Sequence, residues 1–182
     1  TSFTQQMDYN YNIRGWLTGI NDPKNLGTSD YFGLSLCYND IASINSLSDK
    51  TASFNGNISG TLWAGKYGAS SVRAGAYAYQ YDGLNRIKKA DYGDLSGSTV
   101  TDQASKYNVY NITYDKNGNI RSLTREGATA VDDQLTYGYD PESNKLKFVN
   151  DTGNDAQGFK ELGGDNLLEY SYDLSGNLTM DK

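Results

Sequence analysis

Tyr170-Ser171-Tyr172-Asp173-Leu174-Ser175-Gly176-Asn177-Leu178 is the stretch whose reading decides the fold, because the chain repeats it. Variants stand at Tyr79-Gln80-Tyr81-Asp82-Gly83-Leu84-Asn85-Arg86-Ile87, at Ile112-Thr113-Tyr114-Asp115-Lys116-Asn117-Gly118-Asn119-Ile120 and at Tyr137-Gly138-Tyr139-Asp140-Pro141-Glu142-Ser143-Asn144. A degenerate copy opens the chain at Tyr9-Asn10-Tyr11-Asn12-Ile13-Arg14-Gly15-Trp16-Leu17. Internal self-similarity makes the architecture an array of one supersecondary unit.

Tyrosines two residues apart share one face of an extended strand. The acidic or amide residue that follows, with Gly or Asn three positions on, has the chemistry of a type I turn whose first side chain caps its own backbone. Gly15, Gly118 and Gly176 hold a position where a left-handed conformation makes a bulge and returns the chain as a second strand; Asn85 tolerates it and Ser143 fits it less well. An apolar residue follows each turn, with Leu146 displaced by one position. Each copy therefore predicts a β-hairpin. A lone hairpin is marginal in water, so the hairpins must pair with one another.

The reading is mostly β: a strip of antiparallel hairpins forming a curved sheet or part of a hollow β-shell. It treats residues 1–182 as a single repeat segment cut from a longer array, with hairpins near 7–20, 31–40, 54–63, 76–90, 107–125, 135–149 and 168–182. Asn55-Gly56 supplies the turn signal for the third of these. Residues 65–75, 93–105 and 151–165 read as loops, and residues 41–50 as ambiguous with room for one helical turn.

Sixteen tyrosines, two tryptophans and five phenylalanines supply apolar area that a mean hydropathy of −0.68 shows is otherwise scarce. A net charge of −6 leaves no basic stripe for phosphates, so nucleic acid is a poor partner, and no apolar run is long enough to insert in a membrane. Cys37 is the only cysteine and reads as a small filler on the strand Leu34–Tyr38. Histidine is absent, which removes the usual base for a Ser or Cys nucleophile. Three carboxylate pairs remain for acid–base work, Asp132 with Asp133, Asp151 with Asp155 and Glu161 with Asp165, and read as solvated surface. Asp115 with Glu126 has the spacing of a calcium loop but lacks its glycine. The expectation is no catalytic residue, no metal and no cofactor. Aromatic rings serve first as packing; sugar stacking is the alternative, with Trp16 and Trp63 the best candidates for exposure.

The phrase Tyr-x-Tyr-Asp-x-x-Gly-Asn resembles the YD repeat of the Rhs family, and the variants at Tyr9 and Tyr81 are similar to those of long Rhs-like surface proteins of Bacteroidetes. That resemblance implies a structural role for Tyr79, Tyr81, Asp82, Tyr114, Asp115, Gly118, Asn119, Tyr137, Tyr139, Asp140, Tyr170, Tyr172, Asp173, Gly176 and Asn177. It also implies a secreted or cell-surface location and repeats that wind as a shell, in toxin members around an effector, with an association with carbohydrate. It brings no active site, since Asp22-Pro23 and Asp140-Pro141 lack the glycine of the family's self-cleaving segment. The functional expectation is a non-catalytic scaffold that encloses or displays a cargo or partner, joined to neighbouring repeats or a partner protein through strand edges. The alternative is a carbohydrate-binding surface module.

Overall fold

The computed structural model describes residues 6–68, 71–160 and 168–182, and they are nearly all β. The chain divides into two compact units, Thr1–Ala104 and Ser105–Lys182. In the first unit β1 (Tyr9–Tyr11), β2 (Leu17–Ile20), β3 (Phe32–Cys37), β4 (Gly60–Tyr67), β5 (Ser71–Tyr81) and β6 (Ile87–Ser96) pair in chain order, all antiparallel, and β7 (Thr99–Asp102) pairs with β6. In the second, β8 (Val109–Tyr114), β9 (Ile120–Glu126), β10 (Val131–Tyr139) and β11 (Leu146–Asp151) do the same, and β12 (Ser171–Tyr172) pairs with β13 (Leu178–Met180).

Several boundaries differ from the sequence reading. Residues 31–40 hold one strand, β3, whose partner β4 starts only at Gly60. The Asn55-Gly56 dipeptide turns without a strand before it, so 54–63 is not a hairpin. Small residues at 65–75 and polar ones at 93–105 looked like loops, yet they carry the ends of β4 and β5 and the β6–β7 hairpin around Gly97. Strand pairing here is decided by neighbours on both sides, which outweigh the weak propensity of Gly, Ala and Ser.

The core of the first unit lies on one face of its sheet, where Cys37, Leu62, Ala76, Ala78 and Leu95 meet Val100. Residues 38–59 cross this face as a strap with one 3₁₀ turn (Ala42–Ile44), and Ile44 and Leu47 are 0% exposed beneath it. Burying each of these two side chains stabilises by about 1.5–3 kcal/mol. The strap lies so close that a Cβ on Gly60 would stand 2.5 Å from Cδ1 of Ile44, and one on Gly93 2.6 Å from Cδ2 of Leu47. It is pinned at its ends by Ser59 N–H to the Cys37 carbonyl (2.7 Å) and in its middle by Ser46 Oγ to the Val100 carbonyl (2.7 Å) and Ser48 N–H to Asp91 Oδ2 (3.0 Å).

On the opposite face stand Leu34, Leu36, Trp63, Tyr77, Tyr79 and Tyr92, set side by side by the β3–β6 register. Tyr77 stacks on Tyr79 with ring centres 6.1 Å apart and tilts against Tyr92 at 5.3 Å. The second unit is built differently. Val149 is its single fully buried apolar residue among those described, and its other buried groups are polar: Asn108, Thr124, Asp133, Asp151 and Glu169.

Candidate functional site

The repeated phrase gathers its chemistry at one end of each sheet, where the chain turns. In every copy the first turn residue accepts a backbone N–H two residues on through its own Oδ1: Arg14 to Asn12, Leu84 to Asp82, Asn117 to Asp115, Glu142 to Asp140 and Ser175 to Asp173. Its N–H donates to the carbonyl of the last turn residue, in the Asp140 copy Lys145 rather than a residue four positions on. Gly15, Asn85, Gly118 and Gly176 have φ of 77°, 63°, 91° and 86°, the left-handed region a side chain other than that of Gly or Asn resists. The Asp140 copy closes through one extra residue, and Ser143 takes no positive φ. A register shift follows each turn at the same place, beside Tyr11, Tyr81, Tyr114, Tyr139 and Tyr172.

The second carboxylate oxygen of the turn aspartate is also used. Asn119 Nδ2 donates to Asp115 at 2.9 Å, Asn177 Nδ2 to Asp173 at 2.8 Å, and the Arg86 guanidinium to Asp82 at 2.7 Å. These donors hold all three carboxyls below the usual carboxylate range. The backbone N–H of Arg86 is the leading cause at Asp82, and the side-chain amides of Asn119 and Asn177 at Asp115 and Asp173.

Between neighbouring strands a second contact recurs, one the sequence reading missed. The hydroxyl of a tyrosine at the end of one strand donates to the carbonyl of the residue just after a turn on the chain before it: Tyr38, where β3 enters the strap, to Leu17 (3.0 Å), Tyr81 to Ile58 (2.7 Å) and Tyr139 to Ile120 (2.9 Å). Tyr38 belongs to no quoted copy, and Ile58 follows the turn at Asn55-Gly56, whose φ of 99° at Gly56 matches the others. The turns themselves are bridged by amides. Asn85 Oδ1 accepts from Asn55 and Asn57 (2.8 and 3.0 Å), and Asn144 Oδ1 accepts from Asn117 and Asn119 (3.0 and 2.9 Å). The signal for both contacts was present in the recurrence of Tyr and Asn, but their partners lie in different copies, which no single copy reveals.

The other predicted residues fall around this edge. Tyr79 is half-buried and its hydroxyl meets Thr61 Oγ1 at 3.0 Å. Burial pushes its hydroxyl up, as it does those of Tyr81, Tyr137, Tyr139 and Tyr170. Tyr114 and Tyr137 lie half-buried in β8 and β10, and Lys145 sits 5.6 Å from the ring of Tyr172. Neither tryptophan is exposed as expected. Trp63 is half-buried, with its ring and that of Tyr92 over Gly75. Trp16 is half-buried against Tyr38 (5.1 Å) with the Arg14 guanidinium 5.1 Å from its ring. It forms one wall of a cleft of about 420 Å³ lined also by Tyr11, Asn12, Ile13, Asn39 and Phe54. The exposed rings of this region are Tyr9, Tyr11 and Phe54.

One member of each of two carboxylate pairs, Asp133 and Asp151, holds backbone. Asp133, 1% exposed, pairs with Arg125 and accepts Phe159 N–H at 2.5 Å, while Asp151 accepts Gln134 and Gly153 N–H at 2.7 and 2.8 Å. Asp155 is exposed, and Glu161 and Asp165 lie outside the described residues. Asp115 and Glu126 stand at opposite ends of β9, about 20 Å apart at the usual strand rise, and cannot close on one ion. Cys37 faces the core rather than solvent, and burial, aided by Asp40, pushes its thiol up to about 11, which leaves no thiolate nucleophile at neutral pH. Compared with known proteins, the chain matches no family model and no curated relative.

Proposed function

We propose that this chain is a non-catalytic YD-repeat segment of an extracellular Rhs-like protein, a scaffold wall that encloses or displays a cargo or partner. The observation that carries the reading is the repeated tyrosine hydroxyl bond from the end of one strand to the carbonyl just after a preceding turn. The residues of the phrase are spent on backbone: Asp on its own turn, Asn on turn and neighbour, Tyr81 and Tyr139 on the strand before. Asp82, Asp115 and Asp173 each take hydrogen bonds on both carboxylate oxygens from their own turn.

Limited proteolysis tests the scaffold reading. A wall zipped along its turn edge is cut first in the loops at 21–31 and 152–160, and the turns at 82–86, 115–119 and 140–145 are spared. Combined replacement of Tyr38, Tyr81 and Tyr139 by Phe exposes those turns to cleavage; equal cleavage of turns and loops in the unaltered chain would contradict the reading.

The Trp16 cleft supports a second reading, carbohydrate binding. An indole wall with Asn12, Asn39 and Arg14 beside it offers a stacking surface with amide and guanidinium donors at its rim. Glycan-array binding abolished by Trp16→Ala, with the fold intact by circular dichroism, is the result that reading requires; an array on which nothing binds removes it.

A further inference from the structure

Two stretches of this chain are letter for letter the same, Asn55-Gly56-Asn57-Ile58 and Asn117-Gly118-Asn119-Ile120. Both lie in turns, both leading asparagines are exposed, and the glycines take φ of 99° and 91°. Each leading asparagine gives its Nδ2 to a neighbouring turn, Asn55 to Asn85 Oδ1 at 2.8 Å and Asn117 to Asn144 Oδ1 at 3.0 Å. An asparagine before glycine carries a latent reaction. The glycine nitrogen, with no Cβ beside it, can attack the side-chain amide carbon once its N–H is free to lose the proton.

The twins differ in what holds that nitrogen. In the Asp115 turn Gly118 N–H donates to the Asp115 carbonyl at 3.2 Å, and Asp115 Oδ1 accepts the N–H groups of Asn117 and Asn119, each at 2.9 Å. Where Asp115 stands in that turn, the other has Ser53, which brings no carboxylate. Gly56 N–H has no hydrogen-bond partner among the described residues. Asn57 N–H goes instead to Asn55 Oδ1 at 3.1 Å, an Asx turn that folds the Asn55 amide over the Gly56 peptide and draws electrons from its carbon.

We propose that Asn55 is a site of spontaneous modification, converting to aspartate and isoaspartate through a cyclic imide, and that its twin Asn117 is protected. The bond from Gly56 N to Asn55 Cγ forms as the Cγ–Nδ2 bond breaks, and Nδ2 leaves as ammonia with the Gly56 amide proton. Water then adds to one of the two imide carbonyls. Opening at Cγ leaves aspartate, and opening at the main-chain carbonyl leaves isoaspartate, whose backbone runs through Cγ. The nitrogen that leaves is the one that bridges to Asn85. A carboxylate in its place sets acceptor against acceptor at Asn85 Oδ1, which keeps only the Asn57 donor at 3.0 Å. Arg14, whose guanidinium donates to the adjacent Phe54 carbonyl at 3.2 Å, stands near the new negative charge. Isoaspartate also lengthens the backbone beside Trp16, since a Cβ on Gly56 would lie 3.4 Å from the indole Cζ2. The conversion therefore loosens one bridge of the turn edge and moves one wall of the Trp16 cleft.

Ageing the intact chain at neutral pH tests this, with peptide mapping by mass and methyltransferase labelling of isoaspartate. The expected result is conversion at Asn55 about two- to tenfold faster than at Asn117, the factor that one closed turn hydrogen bond supplies. In denaturant the two sites have only their shared sequence, and their rates converge. Ser53→Asp, which brings the capping carboxylate of the other turn, is expected to slow Asn55 toward the Asn117 rate. The inference is overturned if Asn55 converts no faster than Asn117 in the folded chain or if the ratio survives denaturant. It is equally overturned if the Ser53→Asp chain, folded by circular dichroism, converts at the unaltered rate.

Discussion

A single side chain in this repeat has one task, and the task fixes its identity. Gly118 and Gly176 sit at φ of 91° and 86° in open space, so an added methyl meets no atom and the cost of a substitution is purely one of backbone conformation. Gly118→Ala and Gly176→Ala are each expected to destabilise by about 1 kcal/mol in denaturant melts; a neutral result would mean the turn does not hold this conformation in solution. The turn aspartates give the molecule an acid-sensitive edge. Their carboxyls are held low in the folded chain, so the unfolded chain takes up protons first as pH falls. Their stabilisation is present above the ordinary carboxylate value of about 4 and lost as pH drops through the depressed values. Asp91 has the reverse sign, since burial, with Asp102 and Asp49 nearby, raises it and protonation there favours the folded state. Carboxyl carbon shifts should show Asp115 and Asp173 titrating below, and Asp91 above, a free aspartate; Asp115 at or above the free value contradicts the assigned hydrogen bonds.

At the scale of the element, the hairpins that could be read were those whose turn advertised itself. Asp or Asn with Gly or Asn three positions on is a local signal, and the turns at Asn12, Asp82, Asp115 and Asp173 follow from it, whereas the Asp140 turn, with Ser143 in that place, closes one residue later. The strap was legible only in part: residues 41–50 left room for one helical turn, which forms at Ala42–Ile44, but the face that Ile41, Ile44 and Leu47 cover is set by small residues on other strands. Gly60, Ala76, Ala78 and Gly93 are small because nothing larger fits under the strap, and of the four only Gly93 stood in a stretch that read as a loop. The acid loop at 152–160 was read as surface, yet Asp133 and Asp151 are buried anchors for it, a role that depends on register and not on composition. Leu47→Ala should cost about 2–5 kcal/mol in chemical denaturation of the first unit, and increase exchange at Ser48 and Ser59, whose N–H groups bind Asp91 and Cys37. A loss below about 1 kcal/mol would mean the strap rests on its hydrogen bonds alone.

For the molecule as a whole, the distribution of apolar burial sets which parts open first. The first unit has a contiguous core of eight buried residues, whereas the second relies on strand pairing and buried polar contacts around Val149. Regions with few buried apolar contacts open at lower free energy, so amides of β8–β11 are expected to exchange faster under native conditions than those of β4–β6, and the opposite order would contradict this partition. The central claim, that neighbouring strands are zipped by a tyrosine hydroxyl reaching back to the carbonyl after a preceding turn, is tested most directly by single hydroxyl deletions. Denaturant unfolding of Tyr38→Phe, Tyr81→Phe and Tyr139→Phe should each show a loss of about 0.5–1.5 kcal/mol, with Tyr67→Phe, an exposed tyrosine outside the turn edge, near zero as the reference. Losses at the three positions no larger than at Tyr67 would contradict the account.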